Sequence, residues 1–359
     1  MKRRREKLGE NDPKTLAAIG NLALAYSHQG RHSDAEVLQK QSLDKMKVVL
    51  GESHLNTLGT MNNLAATYIN QGKHSDAEIL LKQCLHKQKV VLGDRHPDTL
   101  NTMTNLASTY YNQGKYNDAE VLYKQILAIS EMLGENHQIT LSTMGNLAAT
   151  YNKQAKYNDA EALFKQCLDK MKVVLGESHP DTLSSEHNVA IAYGQQGKHI
   201  DAEDLYKQCL DKRKIVLGEN HPDTLMTMSN LATTYYSQAK YNDSEDLFKQ
   251  CLDKRKMVLG DNHPHTLDTM NNLAIAYGHQ GKYNDAEDLF KQCLDKRKMV
   301  LGDNHPHTLD TMNMLAATYK SLGKHEEAED LLKQHESWMD EPLEQVSKLQ
   351  PKKSKKGKR

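Results

Sequence analysis

Residues 218–259, GENHPDTLMTMSNLATTYYSQAKYNDSEDLFKQCLDKRKMVL, are the unit from which this chain is built. A Leu-Gly pair closes each copy, from Leu8-Gly9 through Leu50-Gly51 to Leu301-Gly302. The spacing is 42 residues except between Gly93 and Gly134, where it is 41. A fixed period of this length means a stacked array in which each unit contacts its neighbours, so the 359 residues are not read as two or three globules.

One unit divides into two helical patterns. In the third copy His96-Pro97-Asp98 opens the first, helix A, because proline suits a first turn whose N–H groups lack partners. Met103, Leu106, Ala107 and Tyr110 follow at helical spacing, and Gly114 ends the helix. Helix B is expected to begin with a capping box, Asn117 with Glu120, repeated as Ser33/Glu36, Ser75/Glu78, Asn158/Glu161, Asn242/Glu245 and Asn284/Glu287 and broken by Ile200. Ala155 and Ala239 stand where other units have the turn glycine. At positive φ each costs up to about 1 kcal/mol.

The sequence predicts an all-α, right-handed solenoid of eight units, at 10–50, 52–92, 94–133, 135–175, 177–217, 219–259, 261–301 and 303–338. Residues 1–9 read as a basic lead-in matching the end of a preceding repeat, as in a partial sequence, and 339–359 as a disordered basic tail. Without the two basic ends, the body holds 35 bases against 46 acids, which argues against a basic nucleic-acid groove. The third copy lacks one residue in helix B. That predicts either an irregular twist at the junction with the fourth or a shorter helix with unchanged stacking. Trp338 is expected to cover the open end of the last repeat.

The order Leu106, Ala107, Tyr110, Gly114, Tyr116, Ala119, Tyr123 resembles the tetratricopeptide (TPR) signature. The longer wording NNLA…GKY.DAE….KQ.L…K.VLG..HPDTL is similar to the repeats of kinesin light chains and nephrocystin-3-like proteins. HEAT and armadillo repeats share the period without the residue pattern and remain a distant fold alternative. The resemblance implies a non-enzymatic adaptor or scaffold holding an extended peptide of a partner protein in a concave groove lined by A helices. It also implies motor cargo or a kinesin heavy chain as partners, although the family's heptad coiled coil is missing from this sequence. The alternative is a sensor array of a larger signalling protein.

Helical geometry puts Asn101, Asn105, Ser108 and Asn112 opposite the apolar side of helix A. An amide both donates and accepts, so Asn105 and its equivalents Asn21, Asn63, Asn146, Asn188, Asn230 and Asn272 could grip a peptide backbone. The resemblance implies that role for them; bonding to a neighbouring helix is the competing one. Their neighbours Asn62, Thr104, Gly145, His187, Ser229 and Asn271, with Ile69, Tyr111, Asn152, Tyr236 and Lys320, are candidates for specificity.

Other chemistry is sparse. Cys84, Cys167, Cys209, Cys251 and Cys293 occupy one position of helix B, too far apart for disulfides, and read as buried small residues. One histidine per unit, such as His54, His96 and His137, cannot converge on a metal, and the His263/His265 and His305/His307 pairs are weak signals. Tyrosines such as Tyr68 and Tyr110 read as core. No phosphate loop, nucleophile elbow or HExxH occurs, so neither catalysis nor a cofactor is expected. No apolar run could span a membrane, and the N-terminal region lacks a signal core, which predicts a cytoplasmic protein. The KKSKKGKR tail leaves nuclear entry and cytoskeletal association open.

Overall fold

The computed structural model describes residues 8–130, 132 and 134–339. The lead-in through residue 7, the tail from 340 and the side chain of Trp338 lie outside them. The chain separates into two compact units, residues 1–197 and 198–359. The first contains α1 (Pro13–His28), α2 (His32–Leu50), α3 (Leu55–Asn70), α4 (His74–Val91), α5 (Pro97–Asn112), α6 (Tyr116–Ser130), α7 (Gln138–Lys153), α8 (Tyr157–Leu175) and α9 (Pro180–Gln195). The second contains α10 (His199–Val216), α11 (Pro222–Ser237), α12 (Tyr241–Leu259), α13 (Pro264–His279), α14 (Tyr283–Leu301), α15 (Pro306–Ser321) and α16 (His325–Met339). No strand occurs among the described residues. Odd-numbered helices are A helices and even-numbered ones B helices, and within each unit a B helix packs on the A helices before and after it.

The repeat-per-unit histidine has a specific job. It is the N-cap of helix A: His96 Nδ1 accepts from the Asp98 N–H at 3.1 Å, and His54, His137, His179, His221, His263 and His305 do the same. The threonine of the HPDTL wording locks the turn before it. Thr57, Thr99, Thr224 and Thr266 each donate Oγ1 to the carbonyl of the preceding turn glycine at 2.8–2.9 Å.

The A-to-B turn departs from the expected capping box. Gly72 adopts φ 73°, and the Lys73 N–H reaches back to the Tyr68 carbonyl at 2.9 Å, closing the last turn of α3 as a Schellman motif. Helix B starts on the next residue, so Lys73 is its N-cap, without a side-chain cap bond, and Ser75 already lies inside the helix. The glutamate expected to cap turns elsewhere. Glu78 Oε1 accepts from Lys82 Nζ at 2.6 Å, and Oε2 from Lys115 Nζ, in the next turn, at 2.8 Å. Both ammonium groups sit over the Tyr110 ring, 5.6 and 5.7 Å from its centre. This Glu–Lys–Lys–Tyr clamp joins consecutive repeats, recurring at Glu36, Glu120, Glu203, Glu245 and Glu287. Tyr68 is buried in the core, and Tyr110, Tyr151, Tyr277 and Tyr319 are half-buried, packed against core clusters and also bordering a cationic clamp.

The core is assembled from leucine, methionine and alanine of helix A against alanine, cysteine and an aromatic of helix B; Leu100, Met103, Ala107, Ala119, Tyr123 and Ile126 form one such cluster. All five cysteines are buried thiols, as expected for small packing residues. Cys84 Sγ donates to the Leu58 carbonyl, and burial raises its pKa to about 11. The helix-B slot facing the next A helix differs between the two units. Met46 and Met171 fill it in the first, whereas buried Arg213, Arg255 and Arg297 fill it in the second.

α6 is shorter than α4 or α8, ending at Ser130 after 15 residues. Thr140 then donates to both the Ser130 and Gly134 carbonyls, at 3.2 and 3.1 Å, tying the shortened end to the next A helix. Ala155 and Ala239 both adopt φ 58°. Replacing each with glycine removes the left-handed strain, and Ala155→Gly/Ala239→Gly is expected to gain up to about 1 kcal/mol per site. Chemical denaturation measures it; an unchanged or lower midpoint would refute the strain.

Candidate functional site

The polar side of the A helices is where the sequence places binding, and the structure distinguishes its members. In the first unit a cavity of about 700 Å³ opens between α7 and α9, floored by Met171, Val174 and Leu175 at the end of α8. Asn146 and Asn188 line it together with Ser142, Ser184, Asp181 and His179. Gly145 leaves its wall open: a Cβ there would meet no atom within 4 Å. The cavity adjoins the loop after shortened α6, since Asn136 and Gln138 also border it.

The other asparagines are placed differently. Asn105 Nδ2 donates to Asn62 Oδ1 at 3.0 Å, so this pair links α5 to α3. Asn230 is hydrogen-bonded to the Tyr206 hydroxyl, whose pKa burial raises. Asn21 is exposed on α1 and Asn63 half-buried on α3. Asn272 borders a second, apolar cavity of about 120 Å³ with Tyr236, Phe248 and Ile275. Ile275 continues into a neighbouring cavity of about 360 Å³ lined by His279, Tyr283, Phe290 and Met314. Tyr236 lies edge-on to both Tyr241 and His279, with ring centres 5.7 and 5.0 Å apart.

Among the specificity candidates, two are buried: His187 is 2% exposed and Asn271 9%. The row just before the groove asparagines turns toward the next A helix: Thr102 donates to Asn62 Oδ1, and Thr311 to Asn271 Oδ1. A helical step of 100° suffices to carry that row from the open side into the A–A contact. Ser229 is buried for the same reason. Thr104 donates to the Leu100 carbonyl of its own helix. Tyr111 is half-buried against Tyr116, 5.5 Å between ring centres. Asn152 is half-buried with no partner for its buried Oδ1. The signal missed in sequence was the cavity itself, which Gly145 lines together with residues of two A helices and the end of a B helix.

No group of three or more His, Cys, Asp or Glu is arranged around a common metal position among the described residues. The His263 and His265 rings lie 5.3 Å apart, with His263 Nδ1 committed to its cap. No described helix is long and apolar enough to cross a membrane.

Comparison with known proteins gives the same assignment as the repeat pattern. The tetratricopeptide-repeat model matches residues 14–89, 57–132, 98–172, 139–215, 181–257 and 293–337, and a second such model matches 266–307. A Podosopora anserina protein described as a kinesin light chain with nearly identical TPR-like repeats is 27% identical; the match covers 56% of this chain and 97% of that one, with a TM-score of 0.51. BtubC (BKLC) from P. vanneervenii is 17% identical over 68% of this chain and 96% of its own, with a TM-score of 0.55. A STAND ATPase from Pyrococcus horikoshii with a tetratricopeptide-repeat sensor shares the fold at 16% identity and a TM-score of 0.62, over 91% of this chain and 48% of that one. No curated protein sequence matches the chain. Arrays of this kind serve as protein-interaction scaffolds, a fold typically without catalytic activity. The chain belongs to the tetratricopeptide-repeat family, built as consecutive helix pairs.

Proposed function

We propose that the chain is a kinesin-light-chain-like adaptor holding an extended peptide of a partner protein on its A-helix face. The observation that carries this is the cavity of about 700 Å³ between α7 and α9, with Asn146 and Asn188 on its walls. Two amides one repeat apart can each donate to a carbonyl and accept from an N–H of an extended backbone. Ser142, Ser184 and Asp181 on the same wall favour a peptide carrying donors, while Met171, Val174 and Leu175 offer an apolar floor for one side chain. Asn272 and the apolar cavities beside Ile275 provide a second set of contacts in residues 198–339. Asn105 is proposed as a member that positions Asn62 more than it grips ligand, because the two amides already bond each other. In this reading the ligand is cargo or an adaptor of microtubule transport, and the protein works in the cytoplasm.

Gly145→Trp tests it. A Cβ at Gly145 meets no atom within 4 Å and Gly145 lines the cavity, so the indole is expected to occupy it with helicity and melting unchanged. Peptides selected from a displayed library on the wild-type chain are expected to bind the variant at least about tenfold more weakly, as they should Asn146→Ala/Asn188→Ala. Full binding by both variants would remove the cavity from the function. The alternative, a sensor array of a larger signalling protein, has the fold likeness to the STAND sensor behind it. It predicts an effector domain in the same reading frame, which sequencing the full transcript would reveal.

A further inference from the structure

The last turn of helix B carries an apolar side chain that packs against nothing in its own unit. In residues 1–197 these are Val48, Val90 and Val173, and in residues 198–359 Ile215, Met257 and Met299, all 73–87% exposed. The next residue is in each case a valine less than half exposed, so each turn presents an apolar pair. Local structure gives no reason for this: valine and isoleucine are mediocre helix formers, and solvent-facing positions normally carry polar groups.

A comparison within the same helices shows that the feature is retained. Eleven residues earlier lies another exposed position, occupied by Val37, Ile79 and Val121 in the first repeats. There the equivalent residues become Asp204, Asp246 and Asp288 in the fifth to seventh repeats. At the ridge the identity also drifts, from valine to isoleucine to methionine, yet the apolar class does not. Duplication explains sameness; it does not explain drift confined to large apolar side chains.

We infer that the ridge is an interface between two copies of this chain, related by a two-fold axis. A partner that covers such a ridge must present apolar groups at the same repeat distance, and a second copy does so by construction. The flanking charges fit a reversed copy. Each ridge residue is preceded by a lysine and followed in the turn by an acid, and these acids hold exposed ion pairs within the chain, Lys89 with Asp94 at 3.1 Å and Lys296 with Asp261 at 3.3 Å. Within either unit a two-fold axis across the ridge reverses that order in the partner, setting lysine opposite acid so that these exposed pairs exchange partners between the copies. In either unit the ridge pairs expose apolar area on the order of 600 Å², near the top of what a monomer normally leaves open and close to the about 800 Å² per partner of a standard interface.

Sedimentation velocity on the full chain over a range of concentrations tests this. The wild type should reach a dimer and go no further, since a two-fold interface closes. Ile215→Gln/Met257→Gln/Met299→Gln should weaken dimerisation at least about 100-fold with unchanged helicity, because these side chains support no core packing. Val37→Asp, which repeats a change the chain has already made elsewhere, should leave the dimer intact, as should Gly145→Trp. A wild type that stays monomeric, a dimer unaffected by the triple change, or assembly into larger species would each overturn the proposal. Because the ridge side chains lie outside the groove cavities, failure of this proposal leaves the peptide-binding reading untouched.

Discussion

Acidification from pH 5 to pH 2 is expected to unfold the array, because the repeats are joined by carboxylates that must stay ionised. At Glu36 the hydrogen bond from Lys40, then that from Lys73, hold the carboxyl down at about 2. Lys115 and Lys82 do the same for Glu78, and Lys124 and Lys156 for Glu120. At Glu203 and Glu245 burial is the largest influence and pushes upward, but the two lysines together outweigh it, and these carboxyls also lie at about 2. A folded-state value below the unfolded one means that the unfolded chain binds more protons in between. The stabilisation is therefore fully present above pH 4.5 and is lost as pH falls toward 2. The glutamate side chains are 8–15% exposed but their lysines about half, so screening reduces each clamp to about 1 kcal/mol.

Five clamps then supply about 5 kcal/mol, comparable with the whole stability of many domains. A smaller loss begins earlier in residues 198–359. Burial, then the neighbouring His265 or His307, lowers the pKa of the caps His263 and His305. Stability that depends on these neutral caps is complete above about pH 6.5 and declines below it. Far-UV circular dichroism and thermal melting across pH 7 to 2 measure both steps. Retention of full helicity and an unchanged melting temperature at pH 2 would show that the clamps contribute little.

Truncating a buried arginine should cost about 3 kcal/mol, while a methionine at the same place should cost about 1 or less. Arg255 is 6% exposed and stitches α12 to α13: its Nη1 donates to the His265 carbonyl at 2.8 Å and to Thr269 Oγ1. Arg255→Ala leaves a void between two repeats and removes the bonds that joined them. Arg255→Met instead reproduces the first unit, where Thr60 donates to Met46 Sδ at 3.2 Å and Ser185 to Met171 Sδ at 3.0 Å. Arg297 adds a charge partner that Arg255 lacks in its own repeat, donating to Asp268 Oδ1 at 2.6 Å, where the sixth repeat has Met226. Met226→Asp should therefore raise stability by about 1 kcal/mol through a charge-assisted bond to a sheltered guanidinium. Urea denaturation of the three variants decides it; equal losses for Arg255→Ala and Arg255→Met would mean that the hydrogen bonds of the guanidinium, and not the volume it fills, hold that slot.

Much of this could be read from residues close together in the chain. The 42-residue period, the His-Pro starts, the turn glycines and the positive-φ alanines are local, and local geometry fixes them. The capping box misled because Ser75 and Glu78 have the right spacing, whereas the Schellman turn at Gly72 starts the helix two residues too early for it. The same local reading placed Tyr110 at the core, against which it does pack, but missed its clamp, because nothing near it in sequence announces that Lys82 and Lys115 will flank its ring.

By itself the sequence determined that the protein is a TPR array, where each helix lies, that its cysteines pack as small residues, and which side of helix A is polar. Periodicity encodes all of these, since a helix repeats its faces every 3.6 residues and a solenoid repeats its units. Only the tertiary structure decided which asparagines stay available. Asn105 is taken by Asn62 from the repeat before, while Asn146 and Asn188 border a cavity that the missing side chain of Gly145 leaves open. The partners of Glu78, Arg255 and Asn271 lie in adjoining repeats, 37, 10 and 40 residues away, so their roles arise from stacking, which a single repeat does not contain.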